Sequence, residues 1–230
     1  MFSAISKAVG QLGDPAFRSV LIKALALTAG IFILVGFGAA EAFSLVPEFE
    51  YGWVNTVISF LAGLGFLLGG FFLFPLVISA LIGLFLDDIS DAVEKEYYPN
   101  DKPAHDVPLL SSIWDAVKFL ALVIACNIIV LPLYFIPVIN LFVYYLLNGY
   151  LISREYFQMV AVRHHDMDEV SRLRKTNASE LFLMGIVIAF ALTIPILNLV
   201  APIIATAAMV HLYKKRVGST PRGRSLTTNA

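Results

Sequence analysis

Cysteine is all but missing from this chain. Cys126 stands alone, so no internal disulfide can staple the fold. It lies in an apolar run and reads as a small buried hydrophobe. Charge is scarce too: Lys, Arg, Asp and Glu make up 14% of the residues, against 59% hydrophobic ones. Mean hydropathy is +0.81. Soluble domains run near a quarter charged, so this composition excludes one and describes an integral membrane protein with the lipid bilayer as its main partner. The polar stretches, about 87–115, 153–180 and 214–230, are each too short to build a soluble core. The net charge is −1. No basic aromatic surface or nucleic-acid motif accompanies it, so no nucleic-acid partner is expected.

Motifs of catalysis and energy coupling are missing as well. There is no Gly-rich loop ending in Lys-Ser/Thr, no His-Glu-x-x-His and no Gly-x-Ser-x-Gly. ATP-driven transport by this chain alone is not expected, and neither is an enzyme or a cofactor. Within the apolar blocks the polar candidates are Asn127, Asn140, Thr193 and Asn198, none a strong acid or base. His164-His165-Asp166 does not read as a metal site, because adjacent residues on a helix point about 100° apart. Asp87, Asp88, Asp91 and Glu94 read as a solvated helix face.

What is present is apolar length. Four blocks stand out, at about 20–46, 54–86, 116–152 and 181–213. A helix crosses the hydrocarbon with about 20 residues. The first block suits one crossing; at its start it is too long for the core of a signal peptide. The second is expected to cross between about Val54 and Phe74. It would then continue past Pro75 as one helix running into water, with Ile89, Val93 and Tyr97 as its apolar stripe.

The last two blocks are interrupted. Ile136-Pro137-Val138-Ile139-Asn140-Leu141 returns 58 residues later as Ile194-Pro195-Ile196-Leu197-Asn198-Leu199. A proline removes a backbone donor and clashes with the preceding turn. The asparagine can bond the backbone in a turn or start a new helix. The break at Pro195 leaves about 14 residues on either side, arms of roughly 21 Å against a core of roughly 30 Å. Short arms describe a re-entrant hairpin. The 116–152 block reads the same way or, its arms being longer, as two full crossings. Half-helices whose N-termini point into the membrane attract anions. A simple turn is the other reading of Pro137, Asn140, Pro195 and Asn198.

Charge agrees with a return to one side. The 41–53 loop holds Glu41, Glu48 and Glu50 and no Lys or Arg, while basic residues collect in 1–23, 153–180 and 214–224. If basic segments stay cytoplasmic, these segments and 87–115 share one side. A single membrane domain over 1–216 is expected, with a disordered tail at 217–230. At the start of the first crossing, Asp14 is a good N-cap and Pro15 suits the first helical position. Arg18 then lies one turn in, as an oxyanion ligand or as an interfacial arginine that snorkels. Gly65 and Gly69 form a Gly-x-x-x-Gly pair suited to close helix packing, within the chain or between copies.

Taken together, Pro15-x-x-Arg18, Phe74-Pro75 before an acidic helix, Tyr134-Phe135-Ile136-Pro137 and Ile194–Leu199 with Pro202 resemble the CysZ-type sulfate permease family. That family also covers the etoposide-induced-protein domain, and the likeness runs over about 7–216. The resemblance implies an all-α fold of two long transmembrane helices plus two re-entrant, hemi-penetrating hairpins. It implies homo-oligomers, with members packing in opposite orientations, in the bacterial cytoplasmic (inner) membrane. It also implies ATP-independent sulfate uptake for cysteine synthesis. The family carries Gly-(Leu/Ile)-Arg-Arg as a sulfate site at the start of the first crossing. The aligned residues here are Ala16-Phe17-Arg18-Ser19, which makes Phe17, Arg18 and Ser19 the expected oxyanion site. One arginine and the glycine are replaced. The alternative is therefore a membrane scaffold that kept the fold and lost sulfate.

Overall fold

The computed structural model describes residues 1–47, 49–101, 104–105 and 109–218. Every regular element among them is helical: α1 (Phe2–Gly10), α2 (Pro15–Ser44), α3 (Gly52–Gly83), α4 (Leu86–Tyr97), α5 (Leu109–Val130), α6 (Ile139–Ala161), α7 (Met167–Thr176), α8 (Ala178–Thr193) and α9 (Pro195–Tyr213). Glu48 lies outside the described residues, and so does the expected tail from residue 219 on. Four segments are long and apolar enough to cross a membrane: Pro15–Ser44, Gly52–Gly83, Ile113–Phe135 and Leu197–Arg216.

α9 is the hub. It packs against α1, α3, α4, α6 and α8. Ala201, Ala205, Ala207 and Ala208 are buried along it, and such small side chains let neighbouring backbones come close. Pro202 cannot donate a backbone hydrogen bond, yet the helix runs through it. One turn on, the Thr206 hydroxyl donates to the Pro202 carbonyl at 2.9 Å. The far halves of α2 and α3 are the opposite case. Leu34, Phe37, Phe60, Leu67, Phe71 and Phe72 are exposed there, an apolar surface that only lipid accommodates.

Close helix approaches depend on particular glycines. A Cβ on Gly149 would meet Ile186 Cγ1 at 2.6 Å, and one on Gly185 would run into the Gly149 carbonyl and meet Ser153 Cβ at 2.8 Å. Here α6 and α8 cross backbone to backbone. Between α2 and α3, Gly36 takes the Phe66 ring and Gly70 the Phe32 ring. Gly65 and Gly69 have open space where a Cβ would stand, so within the chain they pack nothing.

Two expectations change. The second crossing does not run on as one helix. Leu84 N–H donates to Leu81 O and Phe85 N–H to Ile82 O, at 3.2 and 2.9 Å. These three-residue bonds tighten and end the last turn, and α4 starts afresh with Ile89 and Val93 buried. The arms around the second break are also longer than estimated. α8 has 16 residues and α9 has 19, roughly 24 and 28 Å at 1.5 Å per residue: α8 begins three residues before the apolar block, and α9 starts at Pro195 itself and runs to the block's end.

The segments expected to share one side are joined by ion pairs. Glu94, on α4, is the common partner. His164 Nε2 lies 2.7 Å from Glu94 Oε1, Lys214 Nζ 3.6 Å from the same oxygen, and Arg163 Nη2 3.7 Å from Oε2. Arg163 also pairs with Asp91 and donates to the Asp87 carbonyl at 3.3 Å. Lys214 reaches Asp101 at 3.3 Å. Of the acidic residues of α4, Glu94 is thus turned inward, while Asp87 and Asp88 stay exposed and Asp91 half-exposed. Glu180, at the start of α8, binds the Met1 amino group at 2.7 Å and Arg216 at 2.5 Å.

Burial raises the Glu94 carboxyl, but the His164 hydrogen bond and the Lys214 and Arg163 charges outweigh it and hold it below its ordinary value of 4.5. A lowered carboxyl contributes stability that is fully present above about pH 4.5 and lost as pH falls through the folded value. Wild-type Tm in detergent should drop over that acidic range. Glu94→Gln should cost about 3 kcal/mol at pH 7 by removing the charge that His164, Arg163 and Lys214 share, with only Asp91 and Asp101 left to two of them, and its Tm should fall less on acidification. Gly185→Ala should cost about 3 kcal/mol or abolish folding, since backbone must move. Gly38→Ala, with open space at its Cβ, should leave Tm unchanged or slightly raised.

Candidate functional site

The start of α2 is built from a turn that α1 and Gln11–Gly13 lead into. Asp14 is extended (φ −68°, ψ 144°) and Pro15 is the first helical residue. Proline is preorganised for that place, where its missing N–H costs nothing. The Asp14 side chain caps no backbone N–H; only its carbonyl is used, accepting from Arg18 N–H at 3.2 Å. Phe17 is buried at 3% exposure and packs in the main core. Arg18 is exposed and Ser19 half-buried. Successive helical residues point about 100° apart, so Phe17 anchors the turn while Arg18 is presented outward and Ser19 flanks it. Arg18 forms no ion pair among the described residues. Four residues after Ser19, on the same face of the helix, Lys23 Nζ lies 3.7 Å from Asp88 and over the Phe85 ring.

Beside this turn is a cavity of about 360 Å³, lined by Gln11, Asp14, Phe17, Lys95, Glu96 and Tyr97 among others. Behind it runs a buried polar chain. Tyr98 Oη is 2.9 Å from His211 Nδ1, and His211 Nε2 is 3.3 Å from Gln11 Oε1. Both contacts form when Tyr98 donates to Nδ1 and Nε2–H donates to the amide oxygen. Burial pushes the Tyr98 phenol above its ordinary value, and the Asp101 charge adds to the effect. Gln11 Nε2 has no partner among the described residues.

The two helix breaks are built alike. Ile136 has φ −96°, ψ 112° and Ile194 has φ −93°, ψ 115°, the extended geometry that a following proline imposes. Each isoleucine N–H donates to the carbonyl three residues before it, at 3.2 Å in both cases. Each asparagine N–H donates back to its isoleucine carbonyl: Asn140 to Ile136 at 3.1 Å and Asn198 to Ile194 at 2.8 Å. The asparagines thus serve through their backbones. Neither side chain has a hydrogen-bond partner among the described residues. The copies differ after the proline. α9 begins at Pro195 itself, whereas Val138 takes φ 69°, a region unfavourable to a β-branched residue, and α6 begins at Ile139.

Both breaks lie at one end of the antiparallel α6–α8 pair, where Tyr145 Oη is 3.5 Å from Thr193 Oγ1 and its ring is 6.1 Å from that of Phe190. Arg18 and Ser19 lie toward the other end of the molecule, among the termini joined through Glu94 and Glu180. The structure therefore brings Pro137 and Asn140 toward Pro195 and Asn198, and keeps them apart from the arginine. Among the described residues no group of three or more His, Cys, Asp and Glu could hold a metal ion. Asp166 caps α7 by accepting from Glu169 N–H at 2.9 Å. The Glu94 cluster, the Tyr98–His211–Gln11 chain and the Gly149–Gly185 crossing carry no sequence signal beyond their residue types, because each joins positions far apart in the chain.

A family model described as Sulfate transporter CysZ/Etoposide-induced protein 2.4 matches residues 4–202. No curated protein matches the chain by sequence. The matched segment takes in the α2 start, the acidic α4 and both helix breaks, and it covers well over half of the sequence: this membrane protein belongs to the CysZ/etoposide-induced protein 2.4 family.

Proposed function

We propose that this chain is an ATP-independent passage for sulfate or a related oxyanion through the bacterial cytoplasmic membrane, supplying sulfur for cysteine synthesis. The observation that carries the proposal is Arg18. It is a guanidinium at the start of a 30-residue apolar helix, exposed and with no internal carboxylate among the described residues. A cation held at the membrane edge without a partner is available to an anion, and bidentate oxyanion contacts suit guanidinium. Ser19 beside it adds one neutral hydrogen bond, and Phe17 fixes the turn.

In this reading α2 and α3 are the full crossings. α5–α6 and α8–α9 are re-entrant hairpins whose tips are the paired Ile-Pro breaks. The start of α9 and that of α6 after it would offer N–H groups to a passing anion. Gly65 and Gly69, open on a lipid-facing helix, would seat a second copy in a homo-oligomer.

Labelled sulfate uptake into proteoliposomes should be saturable with the wild type and reduced about tenfold in Arg18→Ala, roughly the value of one charge-assisted contact. Arg18→Lys should retain part of it. No uptake above empty vesicles, from protein with wild-type Tm, would reject sulfate as substrate. The second reading, a scaffold that lost the substrate, is favoured by Ser19 standing where the family carries its second arginine. It predicts that a strain lacking the protein grows normally on limiting sulfate and shows envelope defects.

A further inference from the structure

A cavity of about 1000 Å³ lies away from Arg18, between α4, α5 and α6. Its polar lining is acidic: Asp87 and Asp91 of α4, Asp115 of α5 and Glu155 of α6, with Arg163 and His105. Two of the carboxylates are already matched. Arg163 pairs with Asp91, and Lys118 lies 3.3 Å from Asp115. The carboxylates of Asp87 and Glu155 have no ion-pair partner among the described residues. Asp87 and Glu155 are thus the lining carboxylates left to meet a cationic group, which an opposite charge nearby favours.

Apart from Gln158 the rest of the lining is apolar, with Phe119, Leu120 and Val123 on α5, Met159 on α6 and Val162 just after it. Asp115, Phe119 and Val123 follow one another at four-residue spacing, so they share one face of α5. That face changes from charged to apolar as the candidate span Ile113–Phe135 goes deeper, and none of the span's most apolar window is buried within the chain. An occupant must therefore carry a positive group at one end and hydrocarbon at the other. It must also reach the site from the bilayer, onto which α5 opens.

We propose that this cavity is a lipid site that takes an aminophospholipid. The ammonium lies between Asp87 and Glu155, and an acyl chain lies along Phe119, Leu120 and Val123. Charge selects the occupant. An anionic headgroup would meet the unmatched carboxylates, and a choline headgroup has no N–H to donate to them. The proposal is independent of the sulfate reading, since no residue of the cavity belongs to the α2 site.

Full-length protein in dodecylmaltoside can be titrated with dioleoyl phosphatidylethanolamine, phosphatidylcholine, phosphatidylglycerol and dodecylamine, reading Tm and bound adducts by native mass spectrometry. The ethanolamine lipid should bind at least tenfold more tightly than the other two lipids and raise Tm with concentration. The double variant Asp87→Asn, Glu155→Gln should lose that preference. Val123→Trp, which narrows the apolar wall and leaves every carboxylate in place, should weaken ethanolamine-lipid binding at least tenfold, and it decides the matter if the double variant does not fold. Equal binding of the glycerol lipid, or a preference that survives in a folded double variant, overturns the proposal. Dodecylamine competing on equal terms overturns the lipid in favour of any amphiphilic amine. Cross-links through α5 between two copies that the ethanolamine lipid does not displace overturn it in favour of a second protomer.

Discussion

The burial of α9 is the constraint on which the other helices depend. It is the one candidate span that is mostly interior, 72% buried in its apolar window, where α2 is 17% and α3 11%. In lipid, apolar surface alone gives helices no reason to associate, because acyl chains are as apolar as leucine. What associates them is close packing and polar bonds that lipid cannot replace. α9 supplies both. Its alanines admit five neighbours, and its C-terminal turn carries His211, Lys214 and Arg216 into bonds with Gln11, Tyr98, Glu94, Asp101 and Glu180. The well-packed end of the molecule is the end where those polar groups are. The far halves of α2 and α3, which lack them, stay paired mainly to each other.

The same logic explains what could be read from the sequence and what could not. Apolar length announces itself, so the four blocks and the all-helical class were legible. So were the breaks, because proline acts locally: the extended Ile136 and Ile194 follow from the residue after each. The Ile89–Val93 stripe was legible for the same reason. The break at Leu84 and Phe85 was not, since no proline or polar run marks it and only the tightened bonds after Leu81 and Ile82 produce it. α1 is nine residues long and gains its stability from Ala4 and Ala8 against α9 rather than from any pattern of its own. Gly149 and Gly185 looked like any other glycines, because the clash that a side chain would cause belongs to a pair 36 residues apart. The acidic run of α4 read as solvated, which fits the exposed Asp87 and Asp88; Glu94 departs from it because its partners come from 163–164 and 214, far off in the chain.

At the candidate site, sequence and structure agree on residue types more than on convergence. Arg18 and the repeated breaks are real local features, but they occupy opposite ends of the molecule. A passage joining them would run the length of the hairpins rather than through one pocket. The shared geometry of the breaks narrows what asparagine does there. Both Asn140 and Asn198 close the turn through the backbone, and this leaves both side-chain amides uncommitted at the tips. A turn needing only a backbone N–H would accept many residues. An amide kept twice at the same place adds polar groups to apolar surroundings, which is costly unless something binds them.

α4 divides the charge of the molecule. Asp87 and Asp91 stand four residues apart on one face and line the acidic cavity toward α5 and α6. Ala92 and Glu96 stand four apart on another and, with Lys95, line the cavity beside the α2 start. Asp88, between the two, holds Lys23 of α2. A short amphipathic helix thus stands between the acidic cavity and the start of α2, where Arg18 has no ion pair among the described residues. Within the acidic cavity Arg163 neutralises Asp91 and Lys118 neutralises Asp115, so the charge left to a ligand there is that of Asp87 and Glu155.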